Sequence, residues 1–196
     1  MGKLFRSALL AAMPVIFFAA LSTSCVQAQD APRIEVTGNY SYLRYDSFPL
    51  GFRENTGVNG ANISVAYNFT TRLAAFGEVG GNWGDPFRFY DGMGGGRYSY
   101  RHGSFAFFAQ GMFGKAKSHI AIPTALIGGE SASAFAYGGG GGISYDLTPH
   151  FAVRVIQVDY IHAKLFETPV NNIRFSAGIT YHIGRVRLHK RPRLTQ

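Results

Sequence analysis

The stretch from Asn172 to Ile183 reads NIRFSAGITYHI, and it decides the fold class of the chain. Every second residue is apolar, and the residues between them are polar or glycine. Because successive side chains of a β-strand point to opposite faces of a sheet, this period of two predicts a strand with one apolar and one polar face. An amphipathic helix would repeat its apolar residues every three or four positions instead.

The same alternation recurs through most of the chain and predicts eight strands. Most of them are ten to fourteen residues long. Roughly nine to eleven tilted residues cross a bilayer, whereas strands of soluble proteins average about five or six. The predicted strands are Ile34–Tyr45, Ala61–Phe69, Leu73–Trp83, Met93–Arg101, Phe105–Lys117, Ser133–Tyr145, Phe151–Lys164 and Asn172–Ile183.

Two places interrupt the alternation. The five glycines Gly138–Gly142 resemble a loop, but the apolar residues on either side share one parity, so we expect one strand that bends sharply at the glycines. In the seventh strand the apolar parity changes between Val153 and Ile156. A β-bulge near Val155 would restore the register.

The connections between the predicted strands alternate in length. Short turns and longer loops at opposite ends are typical of outer-membrane barrels, in which the turns are periplasmic and the loops are outside the cell. The predicted turns are Thr70–Arg72, His102–Ser104 and Asp146–His150. The predicted loops are Asp46–Thr56, Gly84–Gly92, Ser118–Ala132 and Phe166–Asn171.

The polar face of the strands consists mostly of Gly, Ser, Asn and Thr, which suits the narrow interior of an eight-stranded barrel. A soluble lipocalin-like barrel, with the apolar face inside, is the alternative, but its outer face would be rich in Lys and Glu. Aromatic residues near the strand ends predict girdles at the membrane interfaces. They are Tyr67, Phe69, Trp83, Tyr98, Tyr100, Phe105, Tyr145 and Tyr181.

Residues 1–28 predict a cleaved secretory signal peptide. Two basic residues precede the apolar run Ala8–Leu21, and small residues precede a cleavage site after Ala28. The alternative is a lipoprotein signal with Cys25 as its anchor, which Ser22 and Ser24 disfavour. The barrel is predicted over residues 29–184, and a single Cys excludes a disulfide scaffold or a zinc site with paired thiolates.

The formal net charge of +8 is concentrated at the carboxyl terminus. Residues 185–196 carry five basic residues and no acid, so the barrel itself is nearly neutral. A nucleic-acid-binding protein would spread its basic residues over a folded face, and we therefore expect no nucleic acid partner. The tail is interpreted either as a solvated, disordered end or as a contact with anionic headgroups or cell-wall polymer.

The segments Arg154–Tyr160 and Asn171–Ile179 resemble the small outer-membrane β-barrel family of bacteria, and the resemblance covers residues 34–184. That family includes the transmembrane domain of OmpA and the OmpX-like and porin-family barrel domains. The resemblance implies an eight-stranded antiparallel transmembrane up-and-down barrel with both termini in the periplasm. Full-length OmpA has a separate peptidoglycan-binding domain, which we do not expect in this chain because the resemblance covers the barrel alone.

The last strand also matches the family's assembly signal, polar-x-Gly-x-x-apolar-x-apolar. The matching residues are Ser176, Gly178, Tyr181 and Ile183. In the family this segment is recognised by the barrel assembly machinery, which the resemblance implies as a partner. The chain continues for thirteen residues beyond the signal, whereas family members often end there in an aromatic residue.

Charged residues on the polar face predict a salt-bridged interior. Counting from the nearest turns places Glu78 and Arg97 at similar depth, and likewise Asp159 and Arg174. Charges inside a narrow barrel must be paired or hydrated, so we expect each pair to form a salt bridge. This network is predicted to hold the barrel together; a gated channel is the functional alternative.

Catalytic motifs are absent from the sequence. His102-Gly-Ser104 lies in a predicted periplasmic turn, and His162-Ala-Lys164 has Lys where a nucleophile would stand. We therefore expect no enzyme activity and no cofactor, and a structural or cell-surface interaction role in the bacterial outer membrane. A narrow, porin-like gated channel is the second hypothesis and a lipid A-modifying enzyme the third.

The expected partners are outer-membrane lipids, lipopolysaccharide and an extracellular ligand bound through the loops. The protein is expected to be a monomer.

Overall fold

The structure of the chain is a computed structural model, which describes residues 31–46, 56–84, 87–120, 130–165 and 168–185. The signal peptide predicted over residues 1–28 lies outside the described residues, as does the tail beyond residue 185. The division of the chain into signal, barrel and tail therefore remains a prediction.

Eight antiparallel strands form a single closed barrel, which confirms the predicted fold class. Each strand pairs with the next along the chain, and β1 pairs with β8 to close the sheet. No helix among the described residues is long and apolar enough to cross a membrane. The strands are β1 (Ile34–Tyr45), β2 (Thr56–Asn68), β3 (Leu73–Trp83), β4 (Phe87–His102), β5 (Phe105–Ile120), β6 (Glu130–Asp146), β7 (Phe151–Leu165) and β8 (Thr168–Ile183).

The two ends of the barrel differ in their connections. At one end, here called the turn end, short turns join β2 to β3, β4 to β5 and β6 to β7. Residues 31–33 and 184–185, which flank the barrel, also lie at this end, where Arg33 N donates a hydrogen bond to Gly184 O. The opposite end, here called the loop end, carries the remaining connections.

The barrel has its apolar face outside and its polar face inside. In β1, Thr37, Asn39 and Ser41 are buried, while Tyr40 and Tyr42 are 62% and 44% exposed. The same parity holds around most of the barrel, and an apolar layer inside the loop end is the exception. The many large apolar side chains exposed on the outside exclude the soluble alternative, in which they would be inside. Closure of the sheet leaves no unpaired strand edge, a condition that spanning a membrane imposes on a β-sheet.

Both irregular places lie within continuous strands. The predicted bulge is confirmed, because the register of β7 against β8 shifts between Arg154 and Gln157, and both intervening residues point outward. The glycine run Gly138–Gly142 continues β6 without a break in pairing. A Cβ atom on Gly138 would overlap the carbonyl oxygen of Tyr160, so close approach of β6 and β7 explains why glycine occupies this position.

The strands extend farther toward the loop end than the sequence predicted. β4 begins at Phe87 rather than Met93, and β8 begins at Thr168 rather than Asn172. The reason is visible in β4, where Phe87 and Phe89 point inward and Tyr90 points outward. Because both faces carry aromatic residues there, the alternation that marks the rest of the strand disappears.

Two neighbouring glycines of β4 provide a test of strand packing. A Cβ on Gly95 would overlap the carbonyl oxygen of Gly111 in β5, whereas a Cβ on Gly96 would have no atom within 4 Å. Gly95→Ala should therefore lower the free energy of unfolding by about 1–3 kcal/mol through overpacking. Gly96→Ala is the matched control and should change it by less than about 0.5 kcal/mol. Urea unfolding of both variants measures the difference, and equal effects would contradict the close approach.

Candidate functional site

The interior of the barrel is filled by three layers of side chains. A turn-end network is built around Glu35 and Arg97, and a central cluster around Arg174. An apolar layer fills the loop end. Its principal members are Leu43, Tyr45, Val58, Phe87, Phe89, Met93, Met112, Ile161 and Val170.

Arg174 is the centre of the middle layer. Its Nη1 donates to Asp91 Oδ1 and Oδ2 at 3.2 and 3.0 Å, and its Nη2 donates to Asp159 Oδ2 at 3.1 Å and to Glu78 Oε1. The side chains of all four residues are completely buried. Four strands contribute one residue each, so the cluster ties opposite walls of the barrel together.

The central cluster carries an excess of negative charge, because a single guanidinium meets three carboxylates. Two glutamines connect Asp159 to the turn-end network by hydrogen bonds. Gln110 Nε2 donates to Asp159 Oδ1 at 3.0 Å, and Gln157 Nε2 donates to Asp159 Oδ2 at 2.7 Å. Each glutamine oxygen in turn accepts from an arginine, Gln110 from Arg97 and Gln157 from Arg154, both at 2.9 Å. Buried charges connected in this way are stabilised only while every member is present.

The turn-end network contains three further arginines of the interior, Arg97, Arg101 and Arg154. Glu35 Oε1 accepts from Arg101 at 2.8 Å and from Asn68 Nδ2 at 2.9 Å, and Glu35 Oε2 lies 3.7 Å from Arg97 Nη1. The guanidinium carbons of Arg97 and Arg154 lie 4.7 and 4.8 Å from the ring centre of Phe108. Such cation–π contacts are typical of desolvated guanidinium groups. A small cavity at this level is lined by Ser99, Ser144, Thr180 and His182, among others.

The structure brings together one of the two charge pairs expected from the sequence. Asp159 and Arg174 are opposite each other in β7 and β8 and form a salt bridge. Glu78 pairs with Arg174 rather than with Arg97, so the expected Glu78–Arg97 pair is wrong. In the register of β3 and β4, Glu78 is opposite Met93 and Arg97 is opposite Ala74, four residues nearer the turn end. The expectation counted from the turns and ignored the stagger that a tilted barrel requires.

Several members of the interior network, Arg101 and Arg154 among them, were missed in the sequence. Asp91, Glu35, Gln110 and Gln157 are all buried in the lumen. Glu35, Gln110 and Gln157 have the inward parity of their predicted strands, and this signal would have identified them. Asp91 lies in the segment Gly84–Gly92, which was predicted as a loop, so no parity was assigned to it.

The apolar layer closes the loop end of the described lumen. Tyr45 stacks on Phe87 with ring centres 4.8 Å apart, and Phe89 meets Tyr45 edge-on at 6.0 Å. Tyr45 OH is hydrogen-bonded to Ser118 Oγ at 3.0 Å, which satisfies the buried hydroxyl. The side chains of this layer thus occupy the lumen on the loop side of the Arg174 cluster.

The residues of the predicted assembly signal divide between the two faces of β8. Ser176 is buried in the lumen, whereas Tyr181 and Ile183 are 43% and 44% exposed on the outer surface. Gly178 is opposite Asn39 of β1, at the strand pair that closes the barrel. Recognition of this segment by an assembly machinery remains a prediction.

The described residues contain no group of three or more His, Cys, Asp or Glu side chains that could hold a metal ion. His102 ends β4 beside the turn at Gly103, whose φ of 59° favours glycine. His162 is at the loop end of β7, where its Nδ1 is hydrogen-bonded to Asn171 Oδ1 at 2.7 Å. The two histidines weighed for catalysis thus belong to opposite ends of the barrel.

A closed eight-stranded barrel with an apolar exterior and a filled polar interior defines the class of small transmembrane β-barrels. The chain has the fold of the small outer-membrane barrels of bacteria. No protein-family model and no curated protein sequence matches it.

Solved structures show the same fold. The crystal structure of Neisserial surface protein A aligns with a TM-score of 0.61 and 14% identity, covering 79% of this chain and 100% of that one. Ail, the attachment invasion locus protein of Yersinia pestis, aligns with a TM-score of 0.50 and 17% identity, covering 78% of this chain and 99% of that one. The outer membrane protease OmpT from Escherichia coli aligns with 9% identity over 83% of this chain and 99% of that one. Its TM-score of 0.36 is too low to support a catalytic role for this chain.

Proposed function

We propose that the protein is a bacterial outer-membrane barrel with a structural or cell-surface interaction role and no catalytic chemistry. The observation that carries this proposal is the filled lumen inside an apolar wall. The wall suits a lipid environment, while the charged and apolar layers occupy the lumen apart from the small turn-end cavity. What remains for interaction with other molecules is the outer surface and the loop end.

The placement in the membrane follows from the same features. The outward aromatic residues form belts near both ends of the wall, where membrane interfaces would lie. With the turn end in the periplasm, both termini are periplasmic and the longer connections face the outside. Outer-membrane lipids and lipopolysaccharide are then the immediate partners of a monomeric barrel, and the loops are the place for an extracellular ligand. The name of Ail, the attachment invasion locus protein of Yersinia pestis, supports a surface-interaction role by analogy.

A narrow gated channel is the second candidate, and the cavity at the turn end favours it. That cavity is lined by charged and hydroxyl side chains and reaches Arg154 inside the barrel. Conduction would then require both the Arg174 cluster and the apolar layer to move. Because the Arg174 cluster and the apolar layer both occupy the lumen, a non-conducting barrel is better supported than a channel.

Two measurements test the membrane placement and the choice between these two functions. The outer-membrane fraction should contain the protein, and its gel mobility should change on boiling, because a closed sheet unfolds only as a whole. The barrel refolded into planar bilayers should show no discrete conductance steps above the leak of the bare bilayer. Steady single-channel openings would favour the channel instead. A heat-insensitive protein in the soluble periplasm would contradict the membrane placement.

A further inference from the structure

The described strands of the barrel carry charges of one sign on the outer wall and of both signs in the lumen. Every strand carboxylate whose side chain the structure describes points into the lumen: Glu35, Glu78, Asp91, Asp146 and Asp159. The outward positions of the described strands carry basic residues but no acid. The wall is therefore cationic wherever it is charged.

Three of the outward cations form a cluster near the loop end of β4 and β5. This cationic patch consists of Arg88, Lys115 and Lys117, all exposed. In the register of the two strands, Lys117 is opposite Tyr90 and Arg88 is opposite His119. Lys115 and Lys117 are alternate residues of β5, about 6.6 Å apart, and Lys117 is the diagonal neighbour of Arg88, about 7–8 Å away. Lys117 therefore lies between Arg88 and Lys115, whose Cα atoms are about 14 Å apart by the same spacing. Among the described residues, none of the three has a hydrogen bond or an ion pair.

The patch lies at the height of the outer membrane interface. Lys115 is ten residues beyond Phe105 of the turn-end belt, which is roughly 33 Å along the strand and about 25 Å along the barrel axis at a tilt of about 40°. That height equals the apolar band of a typical outer-membrane barrel, about 25 Å. Aromatic residues surround the patch: Lys115 is opposite Phe135, and Trp83 is opposite Arg88.

We propose that the cationic patch binds the phosphate groups of lipopolysaccharide, the phosphorylated glycolipid of the outer leaflet. The inference rests on the proposed membrane placement and goes beyond it by naming the residues that bind this lipid and the chemical group that they bind. Three clustered cations without a described counter-charge repel one another, and a phosphate between them removes that repulsion. The acyl chains of the same lipid would lie against the exposed rings below, Phe113, Phe135 and Tyr137.

The single tryptophan of the chain offers a local reporter. Trp83 is 48% exposed on the outer wall, and its Nε1 donates to Tyr90 OH at 2.9 Å, beside the patch. In vesicles of brominated phosphatidylcholine, lipid contact should quench Trp83 fluorescence. Added bisphosphorylated lipid A should displace the brominated lipid from the patch and restore the fluorescence. Dephosphorylated lipid A should restore it much less.

Substitutions then assign the effect to the three cations. Each basic residue near an anionic lipid contributes about fivefold in affinity, so the triple variant R88Q/K115Q/K117Q should lose about 100-fold in relative affinity for bisphosphorylated lipid A. Arg44→Gln is the matched control, because Arg44 is exposed near the loop end of β1, on the opposite wall. It should leave the Trp83 response unchanged.

Each other outcome has a distinct meaning. Equal affinity of the triple variant and the wild type would overturn the proposed site. Equal competition by dephosphorylated lipid A would overturn phosphate recognition. If brominated phosphatidylcholine alone failed to quench Trp83 in heat-modifiable protein, the wall would not contact lipid, and the proposed membrane placement would fail together with the patch.

Discussion

Arg174→Met should lower the free energy of unfolding of the refolded barrel by about 3–5 kcal/mol, the cost of breaking a buried ion pair by removing one partner. The substitution keeps most of the unbranched stem of the side chain but removes the guanidinium group, which leaves Glu78, Asp91 and Asp159 without their common cation. All three carboxylates are completely buried, so water cannot replace the lost contacts. Urea titration in phospholipid vesicles, followed by the heat-dependent gel shift and by Trp83 fluorescence, measures the loss.

A rescue variant distinguishes this electrostatic effect from simple loss of packing. Adding Glu78→Gln and Asp91→Asn to Arg174→Met removes two of the three stranded charges at nearly constant volume. Asp159 keeps the donors of Gln110 and Gln157, and the triple variant should therefore recover most of the stability. Arg72→Met, at an exposed arginine of the β2–β3 turn, is the control and should have little effect. A failure of the two neutral substitutions to recover any stability would refute the charge argument.

Phe87→Ala should lower the free energy of unfolding by about 3–5 kcal/mol, because it removes a completely buried ring from the apolar layer and leaves a cavity. Tyr45 would lose its stacking partner at the same time. The variant should nevertheless remain silent in planar bilayers, since the Arg174 cluster still blocks the lumen. Unfolding in urea measures the first effect, and single-channel recording measures the second.

Phe135→Ala provides the comparison for this substitution. Phe135 is 64% exposed on the outer wall, where lipid chains can fill the space left by the ring. Its removal should therefore cost only the transfer free energy of the lost apolar surface, about 1.5–3 kcal/mol, without a cavity contribution. If Phe87→Ala cost no more than Phe135→Ala, the apolar layer would not be tightly packed. Channel openings in Phe87→Ala alone would show that the charged layer is not a barrier.

Much of the fold could be predicted from the sequence because the alternation of side chains is a local property. A strand whose faces meet lipid and a polar lumen repeats every two residues, as in Asn172–Ile183, and this repeat predicted eight strands and the bulge near Val155. The prediction was too short at the loop end of β4. There Phe87 and Phe89 turn inward while Arg88 lies outside, so the chemical pattern of the two faces is reversed.

The partners inside the barrel could not be predicted in the same way. The pair Asp159–Arg174 was accessible because the two residues are opposite each other in neighbouring strands. Glu78 and Asp91 meet the same arginine across 96 and 83 positions of the chain, from strands on the other side of the lumen. No local spacing relates them to Arg174, and counting from the turns placed Glu78 beside Arg97 instead.

The amino-acid sequence by itself therefore determined the class of the protein, the number of its strands and the face that each strand turns outward, because these depend on residues within one strand. The tertiary structure alone decided that Arg174 holds three carboxylates, that an apolar layer closes the loop end, and that Arg88, Lys115 and Lys117 share one patch. The physical reason is closure: the tilt and stagger that close the sheet set the depth of every residue, and depth decides which side chains meet.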